Sequence, residues 1–201
     1  MRLPGFLLAL GLSGLLALAA PMRPALAADD ASSFIAQTAN SVLELARNAS
    51  LSQEQYKQQI HAIADHAFDA PRIAQFVLGR YWRTASPAER QQFVQAFENY
   101  MVQVYATRFR QYSGSTFKVV GQREEGNSTM VTTEIAQPNS PQPARVIWQV
   151  GKTANGYKIT DVSLEGISQA ITYRQEFSSV IEQHNGQVSA LIQQLQQKAN
   201  G

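Results

Sequence analysis

The chain has 201 residues, of which 44% are hydrophobic and none is cysteine, and its formal net charge is +2 at pH 7. This length allows one domain with a sizeable core, and the lack of cysteine excludes disulfide bonds and cysteine nucleophiles. The two excess positive charges, Arg2 and Arg23, both lie near the N-terminus, so the remainder is neutral. Because nucleic-acid binding depends on neutralising phosphates, we expect no nucleic-acid partner.

Residues 1–27 are predicted to be a secretory signal peptide. Arg2 precedes an apolar run over residues 6–20, and Ala25-Leu26-Ala27 has the small-x-small form of a signal-peptidase site. The run is too short for a permanent membrane anchor, and no cysteine follows it that would carry an acyl group. We therefore expect an exported protein that starts at Ala28 and forms a single domain over residues 28–201.

Four helices are predicted in the first half of this domain, from apolar residues spaced three or four positions apart. The first covers Ala31 to Asn48, and capping residues place later starts at Ser52, Asp69 and Ser86. Gly79 weakens the third helix near its end. The fourth helix carries a long aromatic and aliphatic stripe, which would either fill the core or line a cavity.

Beyond Gly114 the apolar period changes from about 3.6 to 2, which is typical of strands. Asn155-Gly156 predicts a type I′ hairpin turn between the last two strands. From Ser168 a helical region continues to Lys198, divided near Asn185-Gly186. The predicted strands form an antiparallel meander with one apolar face, over residues 116–123, 128–136, 144–152 and 157–164. Helices, a four-stranded antiparallel sheet and helices again make an α+β fold.

The sequence offers no catalytic or metal-binding constellation. His61 and Asp65 share a helical face, but one histidine and one aspartate are too few ligands, and a solvated helix surface explains them better. Residues 165–169 do not match the Gly-x-Ser-x-Gly nucleophile motif, and no glycine-rich phosphate loop follows a strand. We therefore predict that the protein is not an enzyme and has no metal or cofactor. The inward apolar faces exceed what one small sheet covers, which predicts a gap between sheet and helices.

Several segments together resemble one known family. Its two most specific signatures are Gly79-Arg80-Tyr81-Trp82 and Tyr173-Arg174-Gln175-Glu176-Phe177, and neither is catalytic. The other matching segments are Phe68-Asp69, Arg72-Ile73-Ala74, Ser86-Pro87-Ala88-Glu89-Arg90, Phe93, Phe97, Tyr100 and Tyr105. They resemble the toluene-tolerance (MlaC) family of periplasmic phospholipid-binding proteins, over essentially the whole chain after the signal peptide.

The resemblance implies a curved antiparallel sheet wrapped by helices, with lipid acyl chains held between them and the headgroup near solvent. It also implies a periplasmic carrier that moves lipid between an outer-membrane lipoprotein complex and an inner-membrane ABC transporter with a lipid-binding ring subunit, maintaining outer-membrane lipid asymmetry. A branch of the family accompanies hopanoid synthesis, so a polycyclic lipid is an alternative cargo. A periplasmic chaperone or adaptor for protein clients is a second alternative, and a lipid enzyme is the weakest.

The carrier hypothesis assigns lipid contacts to apolar side chains, for each of which simple core packing is the alternative. The predicted lipid-binding residues are Phe76, Tyr81, Trp82, Phe97, Met101, Tyr105, Phe109, Val146, Trp148, Val150, Ile171 and Phe177. Arg80 and Arg83, at a helix end, are predicted to contact a lipid headgroup phosphate or an acidic partner, because the guanidinium fork matches such groups. The alternative for both is a solvated helix end.

Overall fold

The computed structural model describes residues 30–138 and 140–200, so the predicted signal peptide lies outside the described residues. The described chain has the predicted α+β composition, with seven helices and five strands in the order α1–α5, β1–β5, α6 and α7. The helices are α1 Ala31–Arg47, α2 Gln53–Ala67, α3 Ala70–Leu78, α4 Tyr81–Thr84, α5 Pro87–Arg110, α6 Gln169–Gln183 and α7 Val188–Asn200. The strands are β1 Thr116–Glu125, β2 Ser128–Ala136, β3 Ala144–Thr153, β4 Gly156–Leu164 and β5 Ile167–Ser168.

The predicted capping residues begin the helices as expected. The Ser52 and Ser86 side chains accept hydrogen bonds from backbone amides three residues later, and both form complete capping boxes. Asp69 caps α3 in the same way through the amide of Arg72. Gly79 follows α3 with a φ of +57°, a conformation that L side chains rarely adopt, and this residue turns the chain into α4.

The sheet has five strands in sequence order, all antiparallel, so the prediction of four strands is wrong. Glu165 and Gly166 both have positive φ, at 48° and 83°, and form a tight turn after β4. This turn returns the chain for two residues, and β5 pairs with the end of β4 before α6 begins. A two-residue strand is too short to leave an alternating pattern in the sequence.

Two irregularities in pairing give the sheet its curvature. The pairing skips Val120 in β1, between Val119 and Gly121, and skips Thr160 in β4, opposite Gln149 and Val150, as at β-bulges, which bend a strand and increase its twist. The β3–β4 hairpin forms and pairs Thr153 with Gly156. The type I′ prediction is wrong, because that turn needs positive φ at both central residues and Asn155 does not have it.

Three groups of buried residues hold these layers together. The largest lies among α3, α5, α6 and α7, and includes Phe93, Phe97 and Phe177. A second packs the start of α1 on the sheet, around Ile35, Val131 and Ile159, and a third joins α1, α2 and α5. The space between the concave side of the sheet and α5 is enclosed by these layers. In the described residues, no helix combines the length and hydropathy needed to cross a membrane.

Candidate functional site: an apolar cavity between sheet and helices

A cavity of about 390 Å³ lies between the sheet and the helices. Its wall is formed by α5 on one side and by β1 to β4 on the other, and α1, α2, α3 and α6 close the remaining sides. Most of the wall is apolar, with contributions such as Ile35, Val42, Ile63 and Phe68 from the N-terminal helices.

Six of the twelve predicted lipid-binding residues line this cavity. They are Phe97, Met101, Tyr105 and Phe109 on α5, and Val146 and Trp148 on β3. The α5 residues are spaced four apart, which places them on one helical face over about three turns. Val146 and Trp148 are two apart on a strand and therefore share the same face of the sheet.

The other six predicted residues do not line the cavity. Phe177 is buried in the helical core, where its ring centroid lies 6.0 Å from that of Phe93. Tyr81 and Trp82 pack partly buried against the same core. Phe76 is 41% exposed on the outer side of α3, because the face of α3 that meets the cavity carries Ala70 and Ile73.

Val150 and Ile171 differ from the prediction for separate reasons. Val150 shares a sheet face with Val146 and Trp148, but it is 1% exposed and belongs to the core where Ala31 and Ile35 of α1 pack on the sheet. Ile171 is 51% exposed at the start of α6. It lies six residues before Phe177, about 120° away around the helix, on the solvent side of the buried stripe to which Phe177 belongs.

Trp148 is fixed in the wall by a short hydrogen-bond chain. Its indole Nε1 donates to Thr133 Oγ1 at 2.9 Å, and the Thr133 hydroxyl donates to the carbonyl of Val146 at 3.2 Å. Thr133 is fully buried, so this hydroxyl satisfies the indole without water. The indole plane is therefore held in place, with its apolar surface against the cavity.

Aromatic side chains from α5 and α6 form the opposite part of the wall. The rings of Phe97 and Tyr173 meet edge to face at 6.2 Å, and Tyr105 stacks on Phe109 at 5.7 Å. Burial, with a smaller contribution from the neighbouring Tyr105 hydroxyl, raises the pKa of Tyr173 far above its ordinary value. The Tyr173 hydroxyl is therefore neutral at every physiological pH.

One polar seam in the wall lies between α2 and α5. Asp65 and Glu98 both line the cavity, and the Asp65 carboxylate lies 3.0 Å from His61 Nδ1. Burial is the main cause that raises the pKa of Glu98, and the negative charge of Asp65 adds to it, while His61 opposes the shift. Within the described residues, no cluster of histidine, aspartate and glutamate side chains has a metal-binding arrangement.

A second polar region lies where β3 begins and β4 ends, near the start of α6. Asp161 of β4 ties this end together, since its Oδ1 accepts hydrogen bonds from the backbone amides of Val162 at 2.8 Å and Ala170 at 2.9 Å. Its other oxygen accepts from the Ser168 hydroxyl. Arg145, which also lines the cavity here, is exposed.

Arg145 and Arg108 are the two arginines of the cavity wall. Both are exposed, and neither forms a salt bridge with a carboxylate in the part of the chain that the structure describes. Arg108 lies with its guanidinium 5.9 Å from the Tyr105 ring centroid. The two predicted headgroup residues, Arg80 and Arg83, lie instead in a separate surface pocket formed by the α3–α4 turn and α6.

Sequence reasoning did not assign the cavity residues of α1, α2 and β4, nor Tyr173, Arg108 and Arg145. The helical period marks the inner faces of α1 and α2, but period alone does not distinguish a residue that fills the core from one that faces a space. Tyr173 lies one helical turn before Phe177, so the same apolar face of α6 reaches both the cavity and the core.

Comparisons with known proteins agree with this architecture. The family model described as MlaC protein matches residues 36–197. The intermembrane phospholipid transport system binding protein MlaC of Haemophilus influenzae is 23% identical over 128 residues, which is 62% of this chain and 59% of that protein. A structure described as a phospholipid-binding protein from Ralstonia solanacearum in complex with a phospholipid has a TM-score of 0.76 and 22% identity, covering 85% of this chain and 97% of that one. Since the family model covers most of its length, this chain belongs to the MlaC family.

Proposed function

We propose that the protein is a lipid carrier that holds phospholipid acyl chains in the cavity between the sheet and α5. The observation that carries this proposal is the apolar cavity of about 390 Å³ itself, which is in the range of roughly 300–1,000 Å³ that small-molecule sites occupy. Membership of the MlaC family supports the proposal, as do the descriptions of the two relatives as a phospholipid transport binding protein and a phospholipid-binding protein.

The energetics explain why a carrier needs such a cavity. Moving an acyl chain from a bilayer into water costs about 0.8 kcal/mol per methylene, so a long chain costs on the order of 10 kcal/mol. A wall built from Phe97, Met101, Val146 and Trp148 offers the chain an apolar environment in place of the bilayer. Transfer in and out needs no covalent step, so the proposed function is not enzymatic and needs no cofactor beyond the lipid cargo.

The headgroup is assigned to the two arginines of the wall. Arg108 and Arg145 are exposed and their guanidinium groups form no salt bridge in the described chain, although the backbone amide of Arg145 donates to the Glu165 carboxylate at 2.7 Å. A guanidinium matches the geometry of a phosphate. This assignment replaces the sequence-based prediction that Arg80 and Arg83 contact the headgroup, because those two residues do not line the cavity. The acyl chain would then lie inward, along the face of Met101 and Trp148.

The cellular role follows from the family resemblance. We infer that residues 28–201 form a single lipid-binding domain, exported to the periplasm by the N-terminal signal peptide. There the protein shuttles lipid between an outer-membrane lipoprotein complex and an inner-membrane ABC transporter with its lipid-binding ring subunit, and so maintains lipid asymmetry. The term intermembrane in the name of the Haemophilus influenzae relative supports this role.

Native mass spectrometry of the protein purified without detergent tests the proposal. A bound mass equal to a phospholipid is the expected result, and a delipidated sample should take up phospholipid again from vesicles. A polycyclic lipid mass would assign a hopanoid-type cargo, and a co-purifying protein in place of lipid would favour the chaperone alternative. A protein that carries no lipid and takes up none after delipidation would refute the carrier function.

A further inference from the structure

A second concave surface lies outside the lipid cavity, on the α3–α4 turn and α6. It has a volume of about 370 Å³, and we call it the arginine pocket. The residues that define it are Phe76, Gly79, Arg80, Trp82, Arg83 and Arg174. Three guanidinium groups around one concavity make it strongly basic, although the chain after residue 27 has no net charge.

The Arg174 guanidinium is held in place by contacts on two sides. It lies over the Phe76 ring, 5.0 Å from the centroid, in a cation–π arrangement. On its other side is Gly79, where a Cβ atom would lie only 3.0 Å from Arg174 Nε. The absence of a side chain at Gly79 therefore lets the guanidinium lie against the backbone beside the Phe76 ring.

One arginine of the pocket is already paired with a carboxylate of the protein itself. Arg80 pairs with Glu182 of α6, and its guanidinium also donates to the Tyr81 hydroxyl at 3.1 Å. Arg83 and Arg174 are exposed and form no salt bridge within residues 30–138 and 140–200. Two of the three guanidinium groups of the pocket therefore have no carboxylate partner among the described residues.

We propose that the arginine pocket binds an acidic segment of a partner protein, with carboxylates on Arg83 and Arg174 and an apolar side chain against Phe76. Charge complementarity to the Arg83 and Arg174 guanidinium groups favours a carboxylate ligand, and the neighbouring Arg80 already pairs with the carboxylate of Glu182. The concave shape fits a protruding peptide better than a flat bilayer, and Phe76, 41% exposed, provides apolar contact. This docking site is independent of the lipid cavity, although Tyr173 of the cavity wall and Arg174 are consecutive on α6.

The test uses the complete exported protein and follows the arginine Nε–Hε resonances by NMR during titration. The probe is a synthetic peptide of glutamates around one phenylalanine, and the same peptide with glutamine at each glutamate is the neutral control. The acidic peptide should shift the Arg83 and Arg174 resonances, and added salt should weaken its binding. The Arg83→Gln/Arg174→Gln variant should bind at least about tenfold more weakly.

Arg123→Gln provides a control for the loss of an arginine elsewhere on the surface, since Arg123 is exposed on β1, where it pairs with Glu125. It should bind the acidic peptide as tightly as the wild type, and both variants should retain lipid normally. If Arg123→Gln lost as much affinity for the acidic peptide as the double variant, general charge attraction would explain the binding and the proposal would be overturned. Binding of inorganic phosphate or of anionic phospholipid vesicles at Arg83 and Arg174 without binding of the acidic peptide would also overturn it. Loss of lipid in the double variant would instead count against the independence of the two sites.

Discussion

Placing a charge in the cavity wall should expel the lipid without unfolding the protein, and Trp148→Glu does this most directly. The indole is partly exposed and faces the cavity, and its removal leaves the Thr133 hydroxyl still bonded to the Val146 carbonyl. A carboxylate at this position stays hydrated, and the water around it takes the place of apolar contacts to about three methylenes of a bound acyl chain. At about 0.8 kcal/mol each, the loss is about 2.4 kcal/mol, or about 50-fold in Kd.

Native mass spectrometry measures this loss as the fraction of protein that carries lipid, and circular dichroism reports whether the helices remain. Trp148→Phe is the control, because it keeps an apolar ring and removes only the hydrogen bond to Thr133. A carboxyl group in an apolar wall has a raised pKa, so the Glu variant should regain lipid as the pH falls and the carboxylate becomes neutral. Unchanged lipid content in a folded Glu variant would mean that Trp148 does not face the bound chain.

Three further predictions concern stability. Burial and the charge of Asp65 raise the folded-state pKa of Glu98, so the folded protein loses stability as the pH rises from the ordinary value of 4.5 through the raised pKa. Glu98→Gln should therefore raise the melting temperature near neutral pH but leave it unchanged below about pH 4. An equal change of melting temperature at both pH values would contradict this cause. Gly79→Ala combines a positive φ with a crowded Cβ and should lower the free energy of unfolding by about 1–3 kcal/mol in urea titrations. Gly126→Ala has a similar φ of +60° and open space, so it should cost less; equal losses would remove crowding as the reason. Asp161→Ala leaves two backbone amides and a hydroxyl without an acceptor and should cost about 1–3 kcal/mol, whereas an unchanged urea midpoint would show that water replaces these bonds.

The sequence predicts the site best where one element presents a regular face. Phe97, Met101, Tyr105 and Phe109 recur every four residues, and the single long α5 keeps all four on the cavity side. The order of helices and strands and the capped starts of the helices are also predictable, because each depends on residues that are close together in the sequence. The resemblance to the MlaC family, which rests on short local segments, is likewise confirmed.

The errors arise where several elements meet. The alternation in β3 places Val150 on the same sheet face as Val146 and Trp148, so it is assigned to the cavity, but the start of α1 covers it and it lies in the core. Gly79 turns the chain between α3 and α4, which places Arg80 and Arg83 in a separate pocket. Arg174 joins them there from α6, and a contact across nearly a hundred residues cannot be predicted from local spacing.

Fluorescence quenching by phospholipids with brominated acyl chains tests the central claim most directly, because bromine quenches an indole only at short range. The chain has two tryptophans, of which Trp148 lines the cavity and Trp82 lines the arginine pocket. Loading brominated lipid into Trp82→Phe, which retains only Trp148, should quench the emission strongly, whereas Trp148→Phe should remain bright. Loaded protein in which Trp148 keeps its full emission, or in which Trp82 is quenched as strongly, would contradict an acyl chain held between the sheet and α5.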